Sequence, residues 1–140
     1  MRLVLDTNVI VAAMRSPMGA SAALLMAARR DEVTILANVA LALEYEATCR
    51  RAEHGVAAGL RPSQVGIFID AVIAMAEPVE THFLWRPQLR DPADELVLAA
   101  AANGRASAIV TFNHRDFGTV PLQFGVEVLS PVNALRRIRP

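Results

Sequence analysis

The chain has 140 residues and a mass of 15.1 kDa, which is the size of one domain, so we expect catalysis and recognition to share one core. A composition of 54% hydrophobic and 20% charged residues excludes an intrinsically disordered chain. The 14 basic and 14 acidic residues balance to a formal charge of zero, which excludes a protein that coats polyanions mainly through counterion release.

The first part of the chain alternates predicted strands with predicted helices. An apolar run indicates a buried strand that ends at Asp6, and a proline after a serine favours a helix start. The predicted elements are strand 3–5, a helix from Asn8, a second helix begun by Ser16 and Pro17 and closed at 29–31, strand 33–37, and helix 39–54 capped by Asn38.

The second part continues the alternation. Its predicted elements are helix 61–75, a short strand 79–81, a loop over 83–89, an Ala-rich helix from Asp91 to Asn103, strand 108–111, and a strand and a helix within about 126–138. Alternating strands and helices predict an α/β fold in which helices cover both faces of a mainly parallel sheet. The whole chain, 1–140, is expected to form this one domain.

Acidic side chains occur where a parallel sheet would gather them. Asp6 follows the first strand, and ligands collect beyond the carboxyl ends of parallel strands. Glu44 points along a largely apolar face, where its carboxylate is costly unless a proton, an arginine or a cation neutralises it. Its helical neighbours are Leu41, Ala40, Ala47 and Thr48. Asp94 begins a stripe of apolar residues in the Ala-rich helix.

Each of these acids also has an ordinary structural explanation. Asp6 is a plausible turn residue at a strand end, and Asp91 with Asp94 is common helix-start chemistry that complements the helix dipole. Their convergence with the loop 113–116 at one sheet edge favours function instead. Clustered carboxylates require a counter-charge, and oxygen ligands without a His or Cys group favour Mg²⁺ or Mn²⁺.

Several other chemistries lack their residues. The sequence contains no lysine, which excludes a Walker A loop and a Schiff-base enzyme, and it contains no nucleophile elbow or H-E-x-x-H motif. Cys49 is the single cysteine and is interpreted as a core thiol, which excludes an intramolecular disulfide and fits a cytoplasmic location. No apolar run of about 18 residues predicts a membrane span.

Four motifs together resemble the PIN-domain nucleases, in particular the prokaryotic (VapC-like) toxin branch of toxin-antitoxin systems. The opening strand with Asp6, the helix glutamate Glu44, and the helix start with Asp94 are similar to that family's acidic motifs. The segment 110–117, with its threonine and polar loop, is similar to the family's last motif. The motifs span residues 3–117, which is most of the chain.

The resemblance implies a three-layer α/β/α sandwich and Mg²⁺- or Mn²⁺-dependent cleavage of single-stranded RNA or structured RNA, the activity of an endoribonuclease. By the same carry-over, Asp6 and Asp94 bind metal, Glu44 helps to bind metal or to activate water, and Asp116 completes the catalytic set. Many members have an aspartate at the position of Asn113, and an amide binds a cation less strongly, so the resemblance leaves open whether one or two metals act.

A further group of residues is predicted to support these acids. Hydroxyl, amide and carboxylate groups beside them are expected either to orient the carboxylates or to make ordinary turn hydrogen bonds. These supporting residues are Thr7, Asn8, Asp91, Thr111 and Asn113. Arg90 and Arg115 flank two acidic motifs and are expected either to contact substrate phosphates or to remain solvated.

Two other functions stay open at this point. A phosphatase of the haloacid-dehalogenase or receiver type also places an aspartate after its first strand. Against this class, the motif that begins at Asp6 lacks the second aspartate of Asp-x-Asp, and the sequence lacks the required lysine. A PIN-like module that binds a partner without catalysis is the other alternative. The toxin resemblance implies an RNA substrate, a small antitoxin protein, a homodimer and no membrane.

Overall fold

The structure is a computed structural model that describes residues 1–81 and 87–139. Its strands are β1 (Arg2–Leu5), β2 (Thr34–Ala37), β3 (Glu77–Pro78), β4 (Ala108–Val110) and β5 (Glu127–Leu129). Its helices are α1 (Thr7–Arg15), α2 (Ala20–Arg29), α3 (Val39–Cys49), α4 (Ala52–Ala58), α5 (Pro62–Met75), α6 (Pro92–Asn103), α7 (His114–Phe117) and α8 (Pro131–Ile138), with a 3₁₀ helix at Val120–Phe124. The predicted loop 83–89 falls largely outside the described residues.

All five strands are parallel and form one sheet in the order β3-β2-β1-β4-β5. β1 lies at the centre of this order. Its residues Leu3, Val4 and Leu5 are all fully buried, as expected for a strand that is covered on both faces. Helices flank the sheet, and α6 packs against β1, β2 and β4. The predicted α/β sandwich with a mainly parallel sheet is therefore confirmed.

The start of α2 differs from the prediction. Ser16 ends α1 instead of capping α2, which begins at Ala20 after Gly19. The amide N–H of Gly19 donates a hydrogen bond to the carbonyl of Ser16 at 3.0 Å, so Pro17 occupies the second position of a tight turn. Proline is favoured there for the same reason that it is favoured at a helix start, namely its fixed φ angle.

The predicted helix 39–54 is two helices. α3 ends at Cys49, and Arg51 adopts extended backbone before α4 begins at Ala52. Cys49 and Gly55 are both buried, so the apolar periodicity continues across the break and does not reveal it.

The third strand lies two residues before its predicted position, at Glu77–Pro78 instead of 79–81. β3 is an edge strand that pairs only with β2 among the described residues. Pro78 lacks an N–H group, and an edge strand tolerates this because one side of its backbone needs no strand partner. The preceding helix, α5, ends at Met75 as predicted.

The polar loop after β4 contains a short helix, α7, which the sequence analysis did not predict. α7 and the 3₁₀ helix place residues 112–116 on the surface and bury Phe117 beneath them. Among the described residues no single helix is long and apolar enough to cross a membrane, although two helix pairs, bent by 98° and 92°, reach that length and composition together.

Candidate active site

Asp6 lies at the carboxyl end of β1 and is 7% exposed. Its amide N–H donates to the carbonyl of Val110 at 2.9 Å, which continues the pairing between β1 and β4. Its carboxylate caps α1 by accepting a hydrogen bond from the amide N–H of Thr7 at 2.8 Å. The backbone and the helix start therefore fix the position of this carboxylate.

Thr111 connects Asp6 to the loop that follows β4. Its hydroxyl donates to the second carboxylate oxygen of Asp6 at 2.6 Å and accepts a hydrogen bond from the amide N–H of Asn113 at 3.0 Å. Its own amide N–H donates to the carbonyl of Leu129 at 2.9 Å. The fully buried threonine thus joins the ends of β1, β4 and β5 at one edge of the sheet.

Asp94 comes to the same edge from the first turn of α6, where it is 8% exposed. Pro92 and the capping residue Asp91 begin this helix, and the carboxylate of Asp91 accepts a hydrogen bond from the amide N–H of Ala93 at 2.9 Å. The helix start thereby sets the direction in which Asp94 enters the interior.

The pKa of Asp94 reflects both its burial and the acids around it. Burial is the largest cause and, together with the negative charges of Asp6, Asp91, Asp116 and Glu95, raises the pKa of Asp94 to about 6. The structure thus brings together three acids on three separate elements, namely Asp6 after β1, Asp94 on α6 and Asp116 on α7.

The pKa of Asp6 is raised as well. Burial is the main cause, and the negative charges of Asp116 and Asp91 contribute. The hydrogen bonds from Thr111 and Thr7 oppose this shift because they stabilise the ionised carboxylate. Negative charge at Asp6 is therefore supported by specific donors and opposed by its surroundings.

A cleft of about 530 Å³ opens beside Asp94. The cleft is lined by the segment before α6, the first turn of α6, α7 and the residues that follow α7. These are residues 88–91, Asp94, 115–118 and Val120. Arg90 and Arg115 both line this cleft, and neither forms an ion pair with a described residue. Guanidinium groups beside clustered carboxylates suit a ligand that carries phosphate groups and a cation.

Glu44 makes its described side-chain contact within its own helix. It is half-buried on α3, its carboxylate accepts a hydrogen bond from the hydroxyl of Thr48 at 3.2 Å, and it does not line the described cleft. The half-buried side chain retains access to solvent. Its predicted role in catalysis stays a prediction.

Of the supporting residues, Thr111 orients Asp6 through its hydroxyl as expected, whereas two others act through their backbones. Thr7 supports Asp6 through its backbone N–H, and Asn113 supports Thr111 through its backbone N–H. The side-chain oxygen of Asn8 is buried and has no hydrogen-bond partner among the described residues. Asp116 and Asn113 are both exposed on the surface.

Three residues at the site, Tyr45, Asn38 and Glu95, make hydrogen bonds that the sequence does not predict. The buried hydroxyl of Tyr45 donates to the carbonyl of Leu5, directly before Asp6, and the amide of Asn38 donates to the carbonyl of Leu96 on α6 at 3.3 Å. The carboxylate of Glu95 accepts from the amide N–H groups of Gln88 and Leu89 at the cleft wall. A tyrosine within an apolar helix is the one sequence signal, because a buried phenol needs a partner.

The donor set matches a hard divalent cation in charge and in chemistry. The buried donors are carboxylate oxygens, and their mutual repulsion would be relieved by a dication. Among the described residues no group of three His, Cys, Asp or Glu side chains lies close enough to hold a metal alone. Mg²⁺ commonly takes only one or two protein carboxylates, with water and substrate phosphates as its other ligands, so Asp6 and Asp94 are sufficient donors.

Comparison with known proteins gives one match. A family model described as the PIN domain matches residues 2–115, which includes Asp6, Glu44, Asp94 and Thr111. No curated protein and no solved structure matches the chain. The match covers most of the chain, and the parallel α/β sheet of the structure agrees with the fold of PIN domains. The chain therefore belongs to the PIN-domain family of nucleases.

Proposed function

We propose that this protein is an endoribonuclease that hydrolyses RNA phosphodiester bonds with Mg²⁺ or Mn²⁺. The observation that carries this proposal is the pair of buried aspartates, Asp6 and Asp94, which come from different elements and meet at one sheet edge. Such a pair is costly for folding unless a ligand neutralises it, so its presence favours function over structure.

Asp6 and Asp94 would hold the cation. Bound there, it would supply electrophilic assistance to the scissile phosphodiester. Thr111 and the backbone of Thr7 keep the Asp6 carboxylate in one orientation, because each donates to a different oxygen of it. This leaves the outward lone pairs of Asp6 for a ligand in the site.

The two arginines would position the substrate. Arg90 directly precedes Asp91 and Arg115 directly precedes Asp116, and both arginines line the same cleft. Guanidinium groups bind phosphate through paired N–H donors, so these residues would hold the RNA backbone on either side of the scissile bond. Glu95 supports Arg90 indirectly, because it holds the preceding amides of Gln88 and Leu89.

Two further acids complete the proposed catalytic set. Asp116 is exposed on α7, and its charge acts on both buried aspartates. For Glu44 we propose the orientation of the attacking water, on the strength of its matching motif. The bond from Thr48 engages one of its carboxylate oxygens.

The test compares RNA with a phosphate monoester. Purified protein is incubated with labelled RNA or with a small monoester, in Mn²⁺ or in EDTA, beside the variants Asp6→Asn and Asp70→Asn. Asp70 is an exposed acid on α5 outside the site, so its substitution makes a matched charge control. We expect RNA cleavage in Mn²⁺ that EDTA and Asp6→Asn abolish and Asp70→Asn retains.

The same assay separates the two alternatives. Turnover of the monoester without cleavage of RNA would replace the nuclease by a phosphatase. A protein without either activity in Mn²⁺ would instead be a binding module that keeps the PIN fold.

We also propose that this nuclease is the toxin of a toxin-antitoxin pair, that it forms a homodimer, and that a small antitoxin restrains it. The support is the resemblance together with exposed apolar side chains on α3 and α5, namely Val39, Leu43, Ile67 and Ile73. Expression in bacteria should arrest growth for the unaltered chain and not for Asp6→Asn. Unimpaired growth, or a monomer in light scattering, would contradict the corresponding part of this proposal.

A further inference from the structure

Tyr45 is the single tyrosine of the chain, and its side chain is fully buried on α3. Its hydroxyl donates a hydrogen bond to the carbonyl of Leu5, the last residue of β1. Burial raises the pKa of this hydroxyl, and the negative charges of Asp6 and Cys49 add to the increase. The hydroxyl therefore keeps its proton and remains a donor.

The core does not need this hydroxyl for its packing, because phenylalanine would fill nearly the same space and would bury no polar group. The acceptor explains it instead. The N–H and C=O of a trans peptide point in opposite directions, so the carbonyl of Leu5 faces away from β4, to which the N–H of Asp6 is bonded. On that side the register pairs between β1 and β2 end at Leu3 and Ile35. Tyr45 thus supplies a donor beyond the end of that pairing.

The peptide bond that Tyr45 holds is the one that joins Leu5 to Asp6. Its carbonyl accepts from Tyr45 on α3, and its N–H donates to the carbonyl of Val110 on β4 at 2.9 Å. Two different elements therefore hold this peptide from its two sides. Because the Cα atom of Asp6 belongs to the same rigid plane, the orientation of the peptide determines where the Asp6 side chain starts.

We propose that Tyr45 is a positioning residue for the reaction, because its hydroxyl holds the peptide before Asp6 and thereby keeps the Asp6 carboxylate oriented to bind a divalent cation. This inference rests on the proposed function, since it adds a residue to the same site. The alternative is a hydroxyl that only stabilises the fold. Removal of such a hydroxyl would lower the free energy of unfolding and leave kcat and the local opening of the backbone at Asp6 unchanged.

The test compares Tyr45→Phe, which removes the hydroxyl and keeps the ring, with Cys49→Ala. The control removes a fully buried sulfur one turn further along α3, so it weakens the same helix and leaves the hydroxyl in place. Each protein is assayed for RNA cleavage in Mn²⁺ and for unfolding in urea. Hydrogen exchange of the Asp6 amide is measured by NMR in EDTA relative to that of Val4 in the same strand, so that a change in global stability cancels.

We expect Tyr45→Phe to lower kcat about tenfold and to leave KM for RNA within about twofold, because a buried carbonyl that holds the site loses its donor. Exchange at Asp6 relative to Val4 should rise about tenfold, since the peptide opens locally. Cys49→Ala should lower the urea midpoint and leave kcat, KM and the exchange ratio within about twofold. A kcat and an exchange ratio in Tyr45→Phe that match those of Cys49→Ala would overturn the inference.

A second measurement does not depend on how Tyr45→Phe folds. Because the chain has a single tyrosine, 3-fluorotyrosine labels this position alone and gives a single ¹⁹F resonance. The phenol is bonded to the carbonyl before Asp6 and feels the charge of Asp6, so Mg²⁺ should shift that resonance, and Asp6→Asn should abolish the shift. An unshifted resonance in a labelled protein that cleaves RNA would contradict the positioning role.

Cleavage by the unaltered protein separates this inference from the function beneath it. If the unaltered protein cleaves RNA in Mn²⁺ and Tyr45→Phe cleaves it with the same kcat, the positioning role is wrong and the nuclease stands. If the unaltered protein does not cleave RNA, both are wrong.

Discussion

The bond between Thr111 and Asp6 is the contact on which the candidate site most depends. It places a hydroxyl donor against a carboxylate that burial would otherwise tend to protonate. Hydrogen bonds to charged groups contribute about 1.5–3 kcal/mol, more than bonds between neutral groups. A single buried hydroxyl therefore opposes the protonation of Asp6 that burial favours.

Thr111→Val removes this hydroxyl and keeps the volume of the side chain. The pKa of Asp6 should rise further, so the acidic limb of the pH–rate profile for RNA cleavage should move to higher pH, and the rate at pH 7 should fall about tenfold or more. Thr111→Ser, which retains the donor, should behave as the unaltered protein does. A valine variant with an unshifted profile would show that the bond does not tune Asp6.

Asp94 should make the metal-free protein less stable as the pH rises. Its pKa in the folded state is about 6, against an ordinary value of 3.8, so the folded state binds the proton more tightly than the unfolded state. The free energy of unfolding therefore falls as pH rises from about 4 through about 6, and the full cost is present at pH 7.

Asp94→Asn removes that cost. In EDTA at pH 7 the variant should be more stable than the unaltered chain by about 1–2 kcal/mol, and below about pH 4 the difference should vanish. Urea unfolding at the two pH values measures both quantities. Equal stability of the two proteins at pH 7 would mean that the buried carboxylate is compensated in the apo protein.

The sequence predicted the positions of these acids better than their contacts. Asp6 and Asp94 are recognisable because each interrupts or begins an apolar run at the end of an element. The partners of Tyr45 and Glu95 are not recognisable, because the first depends on a contact 40 residues away and the second on how the chain folds back before α6. Only the assembled structure supplies such pairs.

At the scale of elements, α6 determines how the site meets the sheet. This helix packs against β1, β2 and β4, and its first turn carries Asp94 to the edge where those strands end. At its other end, Gly104 ends the helix in close contact with neighbouring side chains. The spacing between α6 and the sheet is therefore set at both ends of the helix.

Gly104→Ala should destabilise the fold for this reason. The added Cβ would lie 2.8 Å from the carbonyl oxygen of Ala100 and 2.8 Å from Cγ2 of Val79, distances too short for carbon contacts. We expect a loss of about 1–3 kcal/mol in thermal or urea unfolding. Gly66→Ala, inside α5, is the contrasting variant. The nearest atom to its added Cβ belongs to the flexible end of the Arg50 side chain, at 3.3 Å.

Gly66→Ala should stabilise the protein by up to about 1 kcal/mol, since alanine is the better helix former. Destabilisation by both alanines to the same extent would show that packing at Gly104 is not the cause.

Element boundaries were predictable where one residue type has one meaning. Asp91 caps α6 as predicted, because a short polar side chain before a proline is typical of a helix start. Pro17 was assigned wrongly, because proline also suits a tight turn. Which use applies depends on neighbours distant in sequence.

At the scale of the whole molecule, the two ends of the sheet have different properties. Near the amino end of β1, Arg2 forms an ion pair with Glu77 at 2.6 Å and donates to the carbonyl of Gly104 at 3.0 Å. At the carboxyl end, Asp6 and Asp94 repel each other inside a largely buried site. The formal charge of zero thus conceals a local excess of negative charge at the functional end.

The central claim, that Asp6 and Asp94 together hold a divalent cation, is tested most directly by calorimetric titration of the purified protein with Mn²⁺. The account predicts that the unaltered chain and the Asp70→Asn control bind Mn²⁺ with the same affinity, and that Asp6→Asn and Asp94→Asn each lose at least about tenfold. Equal Mn²⁺ affinity in all four proteins, or no binding by any of them, would contradict it.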